Sequence, residues 1–236
     1  MLVKNLLAAT ALAQAATAAP LIEERQAACQ SVHVFIARGS TEPYPGRQGA
    51  LADAICSGVS GGGCGYEDIQ YPATFENYCA SAGAGVKNGL AQITAYARRC
   101  PQAKLVLTGY SQGGHVVGDI LGGGGGEFQG CTQGTTGALS PSTSPGNQIA
   151  AALFFGDVRH TPSQSYNTGG NAPSSAKGIW PRTGSGLSAL NAFSSKLRSW
   201  CDAGDPACAS GNNGQVHTGY FQKYVPEAAA WAKTKL

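Results

Sequence analysis

Leu105-Val106-Leu107-Thr108-Gly109-Tyr110-Ser111-Gln112-Gly113-Gly114-His115 decides how this chain is read, because an apolar strand runs directly into a Gly-x-Ser-x-Gly turn that opens a helix. The two glycines permit a turn too tight for a Cβ, so the serine is lifted above the sheet edge and the amide after it can face a developing oxyanion. Ser111 is therefore the candidate nucleophile, and the Gln112 amide a candidate oxyanion donor. The string alone is weak. With 34 glycines and 19 serines in 236 residues, roughly 0.4 chance matches are expected. A second match exists at Gly58-Val59-Ser60-Gly61-Gly62, but it follows a helix-like run from Leu51 to Cys56 and enters a glycine cluster, so no strand aims Ser60. Context selects Ser111.

Outward from this segment, the chain begins Met1-Leu2-Val3-Lys4, continues through an apolar stretch from Leu6 to Ala13 and ends in small residues at Ala19, the layout of a secretory signal over residues 1–19. Residues 20–25 read as a short propeptide cut after Arg25, leaving 26–236 as a single domain with a sizeable core. All eight cysteines fall in that mature part, which implies four disulfides formed in an oxidising compartment and a secreted, extracellular protein. Cys201 and Cys208 bracket a short loop and pair locally, while Cys29 and Cys100 each flank a core strand. Cys56, Cys64, Cys79 and Cys131 allow three pairings.

Metal-ligand spacings of Cys and His are missing, so no metal is expected. A net charge of +3 with 12% charged residues supplies no basic stripe of the kind nucleic acid requires. The expected protein is a monomer, acting neither on nucleic acid nor in a membrane.

Apolar runs alternating with helical patterns predict a parallel sheet with crossover helices. Val32 to Ala37 reads as a first strand, Gln48 to Ser57 as a helix, and Ile69 to Tyr71 as the end of a second strand. A long helix is expected from Ala84 to Arg99, then a strand from Lys104 to Thr108 and the elbow helix from Gln112 to Leu121. The glycine run from Gly122 to Gly126 reads as a turn, 129–148 as a long loop, and Ile149 to Phe155 as another buried strand. Lys196 to Trp200 is the expected last strand, and Pro226, favoured in a helix's first turn, opens a final helix.

A serine hydroxyl needs a neighbouring base to remove its proton, and the base works best when a carboxylate fixes its tautomer. In an α/β hydrolase the chain order is Ser, acid, His. Of the histidines after Ser111, His115 sits on the elbow helix and reads as structural, and His160 is a second choice. His217, after a Gly/Asn loop and before the last helix, is the expected base. For the acid, Asp205 lies inside the Cys201 to Cys208 ring, where Pro206 and the crosslink hold its carboxylate still. Asp202 is the fallback, and Asp157 reads as a strand-end turn residue. A second oxyanion donor is expected in the turn after the first strand, where Ser40 offers both its N–H and its hydroxyl.

These residues resemble the cutinase and acetylxylan esterase family. The likeness runs from Cys29 to the C-terminus: Ala-Arg-Gly-Ser-Thr-Glu at 37 to 42, Tyr71-Pro72-Ala73, Cys100-Pro101 ahead of the elbow, Asp-Pro-x-Cys at 205 to 208, and His217-x-Gly219-Tyr220. The resemblance implies Ser111, Asp205 and His217 as nucleophile, acid and base, with Ser40 and Gln112 as oxyanion donors. It further implies an α/β fold, a compact α/β hydrolase with a mainly parallel five-stranded sheet flanked by helices, no large lid and no cofactor. Within the family, Gly114, Tyr-Pro-Ala and the Cys-Asp-x-x-Asp-Pro stretch resemble acetylxylan esterases, whereas Arg-Gly-Ser-Thr-Glu is more typical of cutinases. Acetylated xylan is the expected substrate, with cutin polyester as the alternative and an inactive secreted binding or elicitor protein as a further one.

Overall fold

Strand β1 (Val32–Ala37) sends Phe35 and Ala37 to one face and Val34 and Ile36 to the other, and every residue along it is buried. A strand apolar on both faces needs cover on both, which parallel sheets obtain from crossover helices. The computed structural model, which describes residues 28–61 and 63–236, has this architecture. The expected signal over 1–19 and propeptide over 20–25 lie outside the described residues. In chain order the elements are β1, α1 (Gly49–Cys56), β2 (Cys64–Asp68), α2 (Tyr78–Arg99), β3 (Lys104–Tyr110), α3 (Gln112–Gly122), β4 (Gly124–Phe128), β5 (Cys131–Thr136), β6 (Ile149–Phe155), α4 (Gly184–Asn191), β7 (Leu197–Trp200), α5 (Gly214–Thr218) and α6 (Tyr220–Lys233).

The central sheet has order β2-β1-β3-β6-β7, and all four pairings are parallel. One core joins Phe35, Leu105 and Leu107 to Val86 and Ile93 of α2, Val116 and Ile120 of α3, and Leu190 of α4. The other joins Val34, Ile36, Val106 and Leu153 to Leu51 and Ile55 of α1 and to Tyr220, Tyr224 and Ala228 of α6. Because all strands run the same way, their C-terminal ends share one edge, where ligands of open α/β sheets bind.

Four boundaries differ from the sequence reading. The second strand ends at Asp68, and Ile69 to Tyr71 lead away from it. Helix α2 begins at Tyr78, six residues before Ala84, since Cys79 and Ala82 are already buried. The glycine run and the loop after it pair as an antiparallel hairpin, β4 with β5. Helix α6 begins at Tyr220 and carries Pro226 in its interior, because burial of Tyr220, Phe221 and Tyr224 against the sheet outweighs the hydrogen bond that proline cannot make.

The disulfides are Cys29–Cys100, Cys56–Cys64, Cys79–Cys131 and Cys201–Cys208. Of the three pairings open to the middle four cysteines, the fold selects one. Cys56 and Cys64 close the α1 to β2 connection, and Cys79 ties α2 to the hairpin.

Candidate active site

The elbow is built as its glycines require. A Cβ on Gly113 would collide with the Ala37 carbonyl of β1, and one on Gly109 with the Gly113 backbone. Ser111 itself holds φ 56° and ψ −119°, a left-handed conformation that costs a side-chain-bearing residue on the order of 1–3 kcal/mol. The surroundings fix it there: its N–H donates to the Phe155 carbonyl at 2.9 Å, and its carbonyl accepts from Gly114 and His115 N–H at 3.0 and 3.2 Å.

Around this serine the structure gathers residues more than ninety positions apart in sequence. His217 Nε2 lies 2.9 Å from Ser111 Oγ, and His217 Nδ1 lies 2.9 and 3.0 Å from the two Asp205 oxygens. Asp205 is fully buried and accepts three further hydrogen bonds: from Tyr220 Oη at 2.6 Å, Ala207 N–H at 2.6 Å and Cys208 N–H at 3.2 Å. Burial alone would raise its pKa, but these donors, His217 foremost, outweigh it and hold the carboxyl below its usual range. An ionised acceptor at Nδ1 keeps the ring's proton on that nitrogen and leaves Nε2 free to accept from Ser111.

The loop after β1 brings Ser40 to the same cleft. Its hydroxyl is buried and has no hydrogen-bond partner among the described residues. Arg38 is buried and clamps this loop: Nε donates to the Glu42 carbonyl at 2.6 Å and Nη2 to the Tyr71 and Pro72 carbonyls at 2.8 and 3.0 Å. Glu42 in turn accepts from Gly39 N–H at 2.8 Å and forms an ion pair with Arg47 Nε at 2.9 Å. As the first residue of α3, Gln112 has an amide without an intrahelical acceptor. Its side chain bridges the Thr74 carbonyl at 3.0 Å and Ser81 Oγ at 3.0 Å, which locks the elbow to α2.

The other candidates lie elsewhere. His115 is fully buried on α3 and bonds Asp119 and Tyr78. His160 is buried against Ser199, 3.3 Å away. Asp202 holds Asn171 N–H, Lys223 and Tyr224, tying α6 to a loop, and Asp157 caps its own turn through Arg159 N–H. Two positions escaped the sequence reading. Tyr220 was legible only as the end of a motif, and Gly156, at the end of β6, carries no side chain to notice.

Ser40, Ser111 and His217 line a cleft of about 620 Å³ whose walls include Phe75, Tyr78, Phe128 and Ile179. A second lobe of about 420 Å³ opens on the other side of Ser111 and is lined by Thr41, Glu42, Arg47 and Thr218. Trp180 packs flat on Phe128, while Tyr166 and Tyr220 are buried.

A five-stranded parallel sheet with a strained serine between strand and helix defines an α/β hydrolase. Residues 28–236 match the family model described as Cutinase. The chain is 34% identical to Acetylxylan esterase 2 of Talaromyces purpureogenus, with 97% of each chain covered. It is 33% identical to Cutinase 11 of Verticillium dahliae, covering 95% of this chain and 75% of that one. Among solved structures it resembles the catalytic core domain of acetyl xylan esterase from Trichoderma reesei, with TM-score 0.76 and 32% identity over 88% of this chain and all of that one. The chain belongs to the Cutinase family, and it is a carboxylic-ester hydrolase.

Proposed function

We propose that the protein is a secreted serine esterase that removes acetyl groups from acetylated xylan, with Ser111 as nucleophile, His217 as base and Asp205 as the orienting acid. The observation that carries this reading is the unbroken hydrogen-bonded line from Asp205 through His217 to Ser111, ending in an open cleft. His217 Nε2 takes the Ser111 proton as Oγ bonds to the ester carbonyl carbon. Negative charge on the carbonyl oxygen is met by the Gln112 amide and by Ser40, whose unpartnered hydroxyl is free to donate. The tetrahedral centre collapses, the bond to the sugar oxygen breaks, and His217 returns the proton to that oxygen. Water then attacks the acetyl-enzyme by the same proton route, releasing acetate and regenerating Ser111.

The likeness to acetylxylan esterases over nearly the whole chain supports the substrate. The leader-like first nineteen residues and the four disulfides support an extracellular, single-domain mature protein, which we take to act as a monomer. A cutinase reading is favoured by one observation: Phe75 and Ile179, at 69% and 50% exposure, put apolar groups on the cleft rim. Acetate release from acetylated xylan and a nitrophenyl ester series separate the two. Fastest turnover of acetyl esters supports the first, and preference for acyl chains of four carbons or more supports the second.

A further inference from the structure

Behind the apolar wall of the cleft lies a buried ionic cluster that acyl transfer leaves without a task. Asp119 on α3 is fully buried and accepts from Arg182 at 2.6 Å, Gln133 at 2.9 Å, His115 Nε2 at 3.0 Å and Arg159 at 3.1 Å. Burial would raise its pKa, but His115 and the two guanidinium groups outweigh that and hold it charged. An ionised carboxylate only accepts, so His115 Nε2 carries a proton. His115 Nδ1 and Tyr78 Oη, 3.1 Å apart, share a hydrogen bond. Burial drives the Tyr78 phenol well above its usual pKa, so it stays protonated.

Asp119, His115 and Tyr78 thus form a second carboxylate, imidazole and hydroxyl line beside the one through His217. It ends on an aromatic ring in the cleft wall, not on a nucleophile. Tyr78 is restrained from other sides as well. The next residue, Cys79, is crosslinked to Cys131, and the Phe128 ring packs 5.3 Å from the tyrosine ring. Replacing buried ion pairs by apolar packing is often neutral or stabilising, so stability alone does not account for this cluster.

We propose that Tyr78 is a substrate-positioning residue, its ring orientation set by Asp119 through His115. The role rests on the cleft at Ser111 being the active site.

The test is steady-state kinetics on nitrophenyl acetate and acetylated xylan. Tyr78→Phe keeps the ring and deletes one hydrogen bond, which corresponds to roughly two- to tenfold. The expected result is a KM raised by that factor with kcat within about twofold of wild type. His115→Phe removes the partner of that bond, so KM in the double variant should equal that of either single variant, a non-additive cycle. If His115→Phe does not fold, the Tyr78→Phe result decides alone. A wild-type KM for Tyr78→Phe, or a lowered kcat at unchanged KM, overturns the proposal, and additive effects overturn the route through His115. Ser111→Ala separates this from the function itself: activity surviving there removes Ser111 as the nucleophile and the cleft as the active site, whereas full dependence on Ser111 with an unaltered Tyr78→Phe removes only the role of Tyr78.

Discussion

Gly156 sits where any side chain would press into His217. A Cβ built on it would stand 2.9 Å from His217 Cε1 and Nδ1 and 3.0 Å from Asp205 Oδ2, and its φ of +55° belongs to the left-handed region that favours glycine. The end of β6 therefore leaves the space that the imidazole and carboxylate share. Gly156→Ala should shift the ring by several tenths of an ångström or more and lower kcat by about 10²-fold, as misplaced catalytic groups do. Comparing kcat with the unfolding midpoint checks this: wild-type kcat in a folded variant would contradict it.

Asp205 and Asp202 share one disulfide ring but have separate partners. Asp205→Asn should lower kcat by about 10⁴-fold, the loss expected when the orienting carboxylate of a triad becomes an amide. Asp202→Asn should change kcat by less than about threefold while loosening α6, since it bonds Lys223, Tyr224 and Asn171. Equal losses in the two variants would mean that the acid is misassigned.

Tyr220 donates to Asp205 at 2.6 Å from the first turn of α6. Tyr220→Phe removes a hydrogen bond to a charged group, a contribution of about 1.5–3 kcal/mol. Activity should fall about tenfold or more, the usual effect of losing a partner that orients a catalytic ligand. A Tyr220→Phe enzyme with wild-type turnover would show that the other donors hold Asp205 unaided.

The carboxyls of Asp119 and Asp205 both titrate below their ordinary value of 3.8. A depressed folded pKa means that their contribution to stability is complete above that value and is lost as pH falls through the lower, folded value. Wild type should lose melting temperature as pH drops below about 4. Asp119→Asn, destabilised by roughly 3–5 kcal/mol near neutrality because Arg159 and Arg182 lose their shared partner, should converge toward wild type on acidification. Parallel melting curves from pH 7 to 2 would refute this.

The Cys79–Cys131 bridge closes a separation of 52 residues and ties the hairpin beside the cleft to α2. Replacing both cysteines by alanine should lower stability by about 4 kcal/mol on the chain-entropy account. Thermal unfolding measures it, and an unchanged midpoint would show that the hairpin is held by packing alone.

What could be read from the sequence, and what could not, follows the range of the interactions. Strands β1, β3 and β6 were legible because a buried parallel strand is apolar along its whole length, and the elbow because an apolar strand leads straight into its Gly-x-Ser-x-Gly turn. The hairpin β4 and β5 was not legible: Gly124 to Phe128 has almost no side chains to alternate, and the disulfide that ties β5 to α2 joins cysteines 52 residues apart. The start of α6 was hidden by Pro226, a local signal that burial of Tyr220 and Phe221 overrides. The candidates Ser111, His217 and Asp205 followed from the elbow, the loop before the last helix and the short disulfide ring, together with chain order. The place of Gly156 beside His217 and the bond between His115 and Tyr78 depend on tertiary contact, which no spacing records.

The central claim is that Ser111 is made nucleophilic by His217, and covalent labelling tests it most directly. An organophosphate ester incubated with the protein should add one phosphoryl group, located by peptide mass spectrometry on Ser111, and His217→Ala should slow that labelling by several orders of magnitude. Absence of label on Ser111, or labelling at the wild-type rate in His217→Ala, would contradict the account.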